Sequence, residues 1–257
     1  MKHKIVFFDV DGTITNYKDG TIAKSTKAAI RKLLDMGIQV VAATGRPLSM
    51  CDEIAKLGIN TFITANGAYV KHNDIVIHKI VLNHEIVRAV MDYASTEKNA
   101  LTFYSEKLQM NNIKHPMILK ALNETLSLEE YPPENLAAYE EDTYLMCIFA
   151  NEDMIHKYKI RFPQLTFKRW HPFILNVLEE DVSKSKAIIK VLEYFGLDKS
   201  EAVAFGDGEN DMDMLEMVDV GIAMGNAGEK LKSIANFVTK ESSEDGITIA
   251  LKKYGFI

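Results

Sequence analysis

The 257-residue chain has only two cysteines, Cys51 and Cys147, and they form no CxxC pair. That excludes a disulfide framework or cysteine metal site and reads as two reduced thiols. No apolar run approaches the ~18 residues that a membrane span needs. The apolar run in "MKHKIVFF" is cut by Asp9 and Asp11, far too early for a secretory signal, so a cytoplasmic protein is expected. Positive charge is not in excess either. The formal net charge of −6 argues against nucleic acid or an anionic membrane as partner, and nothing in the sequence points to a protein partner. Repeats, low-complexity tracts and charge blocks are absent. The seven histidines are scattered without metal-ligand spacing. What is there is 47% hydrophobic and 26% charged, the composition of a globular protein able to bury a core.

The first part alternates strand and helix signals. "KIVFFD", "IQVVAAT" and "TFITA" read as buried strands. "STKAAIRKLLDMG" reads as a helix with Ser25 as N-cap and Gly37 past its end, and "PLSMCDEIAKLG" as a second helix. The rhythm returns near the end with "KAIIKVLEYFG", "AVAFGD", "DMDMLEMV", "VGIAM", "GEKLKSIA", "FVT" and "SEDGITIALKKY". Strands apolar on both faces and separated by amphipathic helices predict a parallel sheet covered by helices. Between residues 82 and 181 the texture changes. Adjacent strands such as "ALTFYS" and "KLQMNN", with no crossover helix between them, predict an antiparallel sheet. "EEYPPENLAAYEED" reads as loop. The expected organisation is an α/β core of residues 1–81 and 182–257, split by an α+β insert of residues 82–181.

Ligands of open parallel sheets bind beyond the carboxyl ends of the strands. That rule draws Asp9 and Asp11, Thr44-Gly45-Arg46, the "TANGA" turn, and Asp207 to Asp211 into one crevice. Carboxylates gathered there repel one another. A divalent cation relieves this, and an all-oxygen donor set favours Mg²⁺. An EF-hand fails on spacing, since Met212 or Ile14 stands where its glycine is required. Thr44, Gly45, Lys184 or Lys186, and Asn210 surround the acids with groups suited to an anion. A metal, a phosphate cradle and a free carboxylate are what phosphoryl transfer to an aspartate requires.

"FFDVDGT", "TGR", "VSKSKA" and "GDGENDMDML", in this order and spacing, resemble the haloacid dehalogenase-like hydrolase superfamily. "ITANGA", "GIAMGNA" and "EDGI" resemble its Cof-type, sugar-phosphatase-like branch. The resemblance implies a Rossmann-like parallel core with an inserted α+β cap that selects substrates. It implies Mg²⁺-dependent hydrolysis of small phosphorylated metabolites, sugar phosphates above all. Asp9 would be the nucleophile, giving an aspartyl-phosphate, and Asp11 the acid and then the base. Asp9, the Asp11 carbonyl and Asp207 would hold the metal, supported by Asp211. Thr44, Gly45, Lys184 and Asn210 would hold the phosphate. The family usually has glycine on both sides of "VSK", where this chain has Asp181 and Ser185. That makes Lys186 a rival to Lys184, whose place in the motif favours it. A phosphomutase and a sugar-phosphate sensor with vestigial catalysis are the alternatives. Within the cap, Trp170 and His171 could read a substrate, although Trp170 is expected to pack under the cap sheet. Met212, Met214 and Met217 are expected to pack the core.

Overall fold

The stretch Ile5–Asp9 (β1) is buried at every position, as a strand must be when it has neighbours on both sides and helices on both faces. In the computed structural model, which describes residues 2–257, this strand is central. The helix Lys24–Asp35 (α1) follows, then Gln39–Ala43 (β2), the four-residue helix Asp52–Ala55 (α2), and Thr61–Thr64 (β3). Two strands that the periodicity did not reveal come next, Tyr69–His72 (β4) and Ile75–Lys79 (β5). The chain continues through His84–Thr96 (α3), Ala100–Tyr104 (β6), Leu108–Met110 (β7), Pro116–Leu126 (α4), Leu145–Phe149 (β8), Glu152–Arg161 (α5), Thr166–His171 (β9) and Ile174–Leu178 (β10). It ends with Lys184–Phe195 (α6), Ala202–Gly206 (β11), Met212–Met217 (α7), Val220–Ala223 (β12), Glu229–Ile234 (α8), Phe237–Val238 (β13) and Gly246–Lys253 (α9). Among the described residues, no helix is long and apolar enough to cross a membrane.

The chain divides into two compact units. One comprises residues 1–45, 51–78 and 183–257; the other comprises residues 46–50 and 79–182. Arg46–Met50 thus groups with the second unit and not with the core, and there the Ser49 N–H donates to the Glu106 carbonyl at 2.8 Å.

The sheet of the first unit runs β13-β12-β11-β1-β2-β3-β4-β5. It is parallel from β13 to β3, and β4 is antiparallel to β3. Side chains of a strand alternate between faces. Ile5, Phe7, Val41, Ala43 and Ile63 therefore share one core cluster with Ala187, Ile188 and Val191 of α6 and with Met214 of α7. Met212 and Met217 pack partly buried against the same cluster. Val6, Phe8, Val40 and Ala42 point to the opposite face and are equally buried. There α1 packs on β2 and on α9. Phe8 and Phe205 stand side by side in the β1–β11 register, their rings stacked with centroids 4.8 Å apart.

Two local expectations are corrected. Ser25 lies inside α1, with Ala23 at the N-cap, because its hydroxyl donates instead to Asp245. "PLSMCDEIAKLG" is a 3₁₀ turn followed by the short α2, broken at Cys51.

In the second unit, the sheet runs β7-β6-β8-β10-β9, and its neighbouring strands pair antiparallel. One face presents Leu101, Phe103, Met146, Ile148, Leu175 and Val177 to Val87, Val90 and Ala94 of α3 and Ile155 and Tyr158 of α5. Asn83 caps α3 by accepting from the N–H groups of Glu85 and Ile86. Trp170 does not pack under this sheet: it lies on the edge strand β9 and is 45% exposed. Both cysteines are buried, and burial pushes the Cys147 thiol up to about 12.

The stacked pair that joins β1 to β11 generates a prediction. Phe205→Ala should cost about 3–5 kcal/mol, read by urea denaturation. Ile160→Ala, at an exposed position, should stay within about 0.5 kcal/mol. Equal effects would contradict this account of the core.

Candidate active site

The parallel register brings the carboxyl ends of β1, β2, β3 and β11 to one end of the sheet, so the residues that follow them become neighbours. Asp9 closes β1 and is buried. The chain then makes a single wide turn over Val10–Ile14, closed by Thr15, whose N–H and hydroxyl both donate to the Val10 carbonyl (2.9 and 3.0 Å). Within it Asp11 is exposed and Gly12 adopts φ +85°. That conformation favours glycine, and a Cβ there would also overlap the Asp207 carboxylate. The next residue, Thr13, donates its hydroxyl to Asp207 Oδ1 at 2.8 Å.

Lys184, the first residue of α6, is completely buried and lies between two acids. Its Nζ is 2.5 Å from Asp9 Oδ1 and 2.6 Å from Asp211 Oδ1. Asp211 is also fully buried, and its Oδ2 accepts the backbone N–H groups of Asp207 (3.0 Å) and Gly208 (2.9 Å). Asp211 thus orders the loop after β11, with both its oxygens engaged by the protein. Lys186 lies exposed one residue beyond Ser185, and its N–H donates to the N-cap hydroxyl of Ser183. Lys184 is the lysine that pairs with Asp9 and Asp211. Ser185, where the family usually has glycine, is accommodated by Asp213, whose Oδ2 accepts its N–H and hydroxyl (3.1 and 2.6 Å).

Asp9, Asp207 and Asp211 can each place one carboxylate oxygen within 4.8 Å of the others. Lys184 balances only one of the three charges. Burial, then Asp211, raises Asp9 well above the usual carboxylate range, against the pull of Lys184. Burial and Asp211 also push Asp207 up to about 6, against the Thr13 hydrogen bond. Burial works against the charge on Lys184, but Asp211 and Asp9 outweigh it and hold the ammonium above its ordinary range. The cluster therefore lacks positive charge and offers hard oxygen donors from Asp9 and Asp207, a donor set that fits a divalent cation of the Mg²⁺ kind.

The anion-binding candidates lie beside this cluster. Thr44 is buried after β2. Its N–H donates to the Ile63 carbonyl (2.8 Å). Gly45 packs on the side chain of Asn66. Asn66 belongs to the "TANGA" turn, where the neighbouring Gly67 has φ +108° and a Cβ would overlap the Ser183 carbonyl at the start of α6. Asn210 is exposed and donates Nδ2 to Asn66 Oδ1 at 3.2 Å. Arg46 groups with the second unit, where its guanidinium donates to the Met50 carbonyl. Sequence reasoning missed three side chains of the site: Thr13, Asn66 and Asn226. Asn226 donates Nδ2 to the Gly12 carbonyl (2.9 Å) and to Asp207 Oδ2 (3.0 Å). Each lies in a segment already prominent by its glycines, "DGT", "ANGA" and "GNA", beside the residue that was read.

Comparisons with known proteins give the family of the chain. The family described as haloacid dehalogenase-like hydrolase matches residues 6–251. A putative phosphatase of Bacillus subtilis is 35% identical over 259 residues, covering 100% of both chains. Among solved structures, a hypothetical protein from Geobacillus kaustophilus aligns with a TM-score of 0.92 at 37% identity, over 99% of this chain and 100% of its own. A sugar phosphatase of HAD subclass IIB aligns with a TM-score of 0.84 at 30% identity, over 99% of this chain and 100% of its own.

Two predictions follow from the charge balance. Removing the ammonium in Lys184→Met leaves buried carboxylates unpaired and should cost about 3–5 kcal/mol, whereas Lys186→Met should stay within about 0.5 kcal/mol. Thermal denaturation of the two variants checks this. The second concerns protons. A carboxyl raised to about 6 in the folded state holds its proton below that pH, and a cation must displace it. Mg²⁺ affinity should therefore fall as pH drops through 6, approaching about tenfold per unit. Calorimetric titrations at pH 5 and 7.5 decide it, and equal affinity at both would contradict the assignment of Asp207 to the cation.

Proposed function

Since the chain belongs to the haloacid dehalogenase-like hydrolases and is a phosphoric monoester hydrolase of that family, we propose that it hydrolyses small phosphorylated metabolites with Mg²⁺ and with Asp9 as nucleophile. Sugar phosphates are the leading substrate class, on the likeness to the subclass IIB sugar phosphatase. The observation that carries the reading is the buried Asp9–Lys184–Asp211 group beside Asp207. A binding protein has no need of a carboxylate held buried by an ammonium at the bottom of a crevice, and still less of a second acid two residues away.

Bound Mg²⁺, held by the Asp9 and Asp207 carboxylates, would supply the positive charge that the cluster lacks and that phosphoryl oxygens require. The chain's own residues do the rest. Lys184 engages Oδ1 of Asp9 and so leaves the other oxygen to attack. That oxygen forms the bond to phosphorus as the bond to the ester oxygen breaks, and Asp11 gives its proton to the departing oxygen. Asp11, now a carboxylate, takes a proton from water. The water oxygen attacks phosphorus and the bond to Asp9 breaks, releasing phosphate and restoring both acids. Asp11 suits this exchange because it is exposed, whereas Asp9 is buried. The Thr44 hydroxyl, Gly45, Lys184 and Asn210 surround the phosphate.

Phosphate release from a panel of sugar phosphates, nucleotides and cofactor phosphates tests the reading, with Mg²⁺ and with chelator. Wild type should release phosphate only with the metal. Asp9→Asn should be folded and inactive, and Asp11→Asn slowed about 10²–10⁴-fold. Normal turnover by Asp9→Asn would sink the nucleophile assignment. Rearranged sugar phosphate without free phosphate would favour the mutase.

A further inference from the structure

Asn226 lies in the loop after β12, and every polar group of its side chain is in use. Nδ2 donates to the Gly12 carbonyl and to Asp207 Oδ2, while Oδ1 accepts the Ser242 N–H at 3.0 Å. An asparagine amide has two N–H donors and one carbonyl, so these three partners also fix which way the amide faces. Aspartate at 226 could not donate, alanine offers nothing, and glutamine is a methylene too long. The partners come from three separate segments: the turn after β1, the end of β11, and the 3₁₀ turn Ser242–Glu244. The Gly225 N–H ties the Asn226 loop to the third segment through the Lys240 carbonyl at 3.0 Å. That segment is anchored in turn to the chain after β1. The Tyr17 N–H donates to the Ser242 hydroxyl (3.1 Å), and the Tyr17 hydroxyl donates to Glu241 (2.8 Å).

Asp207 needs such support. It lies beside Asp9 and Asp211, whose charges repel it. Two neutral donors hold it against that repulsion, one on each oxygen: Thr13 on Oδ1 and Asn226 on Oδ2. Thr13 fixes Asp207 only to the turn that Thr13 itself belongs to. Asn226 grips both Asp207 and that turn, through Gly12, and ties them to a third segment.

We propose that Asn226 is a positioning residue. It holds Asp207 and the Asp9–Gly12 segment at a fixed separation, so that their oxygens meet a divalent cation as one ready-made set. This rests on the reading of the cluster as a Mg²⁺ site. Without Asn226, the set has to be reassembled each time the cation binds, and affinity falls accordingly.

The test is calorimetric titration of Mg²⁺ into the full chain as wild type, Asn226→Ala, Asn226→Ser and Asp207→Asn. It is paired with the thermal midpoint of each metal-free protein and the Mg²⁺ dependence of phosphate release. Asn226→Ala should weaken Mg²⁺ binding about 10–100-fold. The Mg²⁺ concentration for half-maximal activity should rise by the same factor, and kcat at saturating Mg²⁺ should stay close to wild type. Asn226→Ser, which keeps one donor, should fall between the two and serves if the alanine variant does not fold. Dissociation constants within twofold of wild type overturn the inference. So does a lowered midpoint with fewer binding-competent molecules but an unchanged constant, the pattern of a purely structural amide. A wild-type chain that binds no Mg²⁺ and behaves like Asp207→Asn overturns the metal reading itself, and the inference with it.

Discussion

The ammonium of Lys184 is the interaction on which the rest of this site depends. It lies fully buried between Asp9 and Asp211, where a carboxylate without a partner would carry a large desolvation cost. A buried lysine of this kind has to be delivered from a rigid element at the correct height, and the start of α6 does this. The "TANGA" turn packs against that helix start so closely that Gly67 has no room for a side chain. Asp213 takes up the serine that follows the lysine. The surroundings of Lys184 are thus built around the placement of one charge.

That one positive charge does not balance three carboxylates, and the imbalance is the useful property. Burial, joined by repulsion from Asp211, raises the proton affinity of Asp9 and Asp207, and positive charge placed among them would relieve that repulsion. Neutral donors hold the arrangement against that repulsion. Thr13 and Asn226 steady Asp207, while backbone N–H groups steady Asp211. Neutral donors suit this task because they stabilise a carboxylate without consuming its charge. A further lysine would have neutralised the site.

Most of the architecture was legible because buried parallel strands and amphipathic helices leave strong periodic patterns. The β4 and β5 strands were not, since "YVKH" and "IVIHK" are short, and β5 is a largely exposed edge strand, where no strict alternation is demanded. The α2 segment has helical spacing but breaks at Cys51. Trp170 is an example of composition misleading: a large aromatic residue is buried more often than not, yet this one lies on an edge strand.

By itself the sequence determined the order of strands and helices, the α/β class, and the acids that follow the strand ends, because these are properties of spacing along the chain. Tertiary structure alone set Lys184 between Asp9 and Asp211, grouped Arg46 with the second unit, joined Asn66 to Asn210, and brought Asn226 to Asp207. Each of these depends on partners far apart in sequence, as with Asn226 and Gly12, separated by 214 positions. A hydrogen bond depends on direction and distance in space, and neither exists until the sheet has set its register.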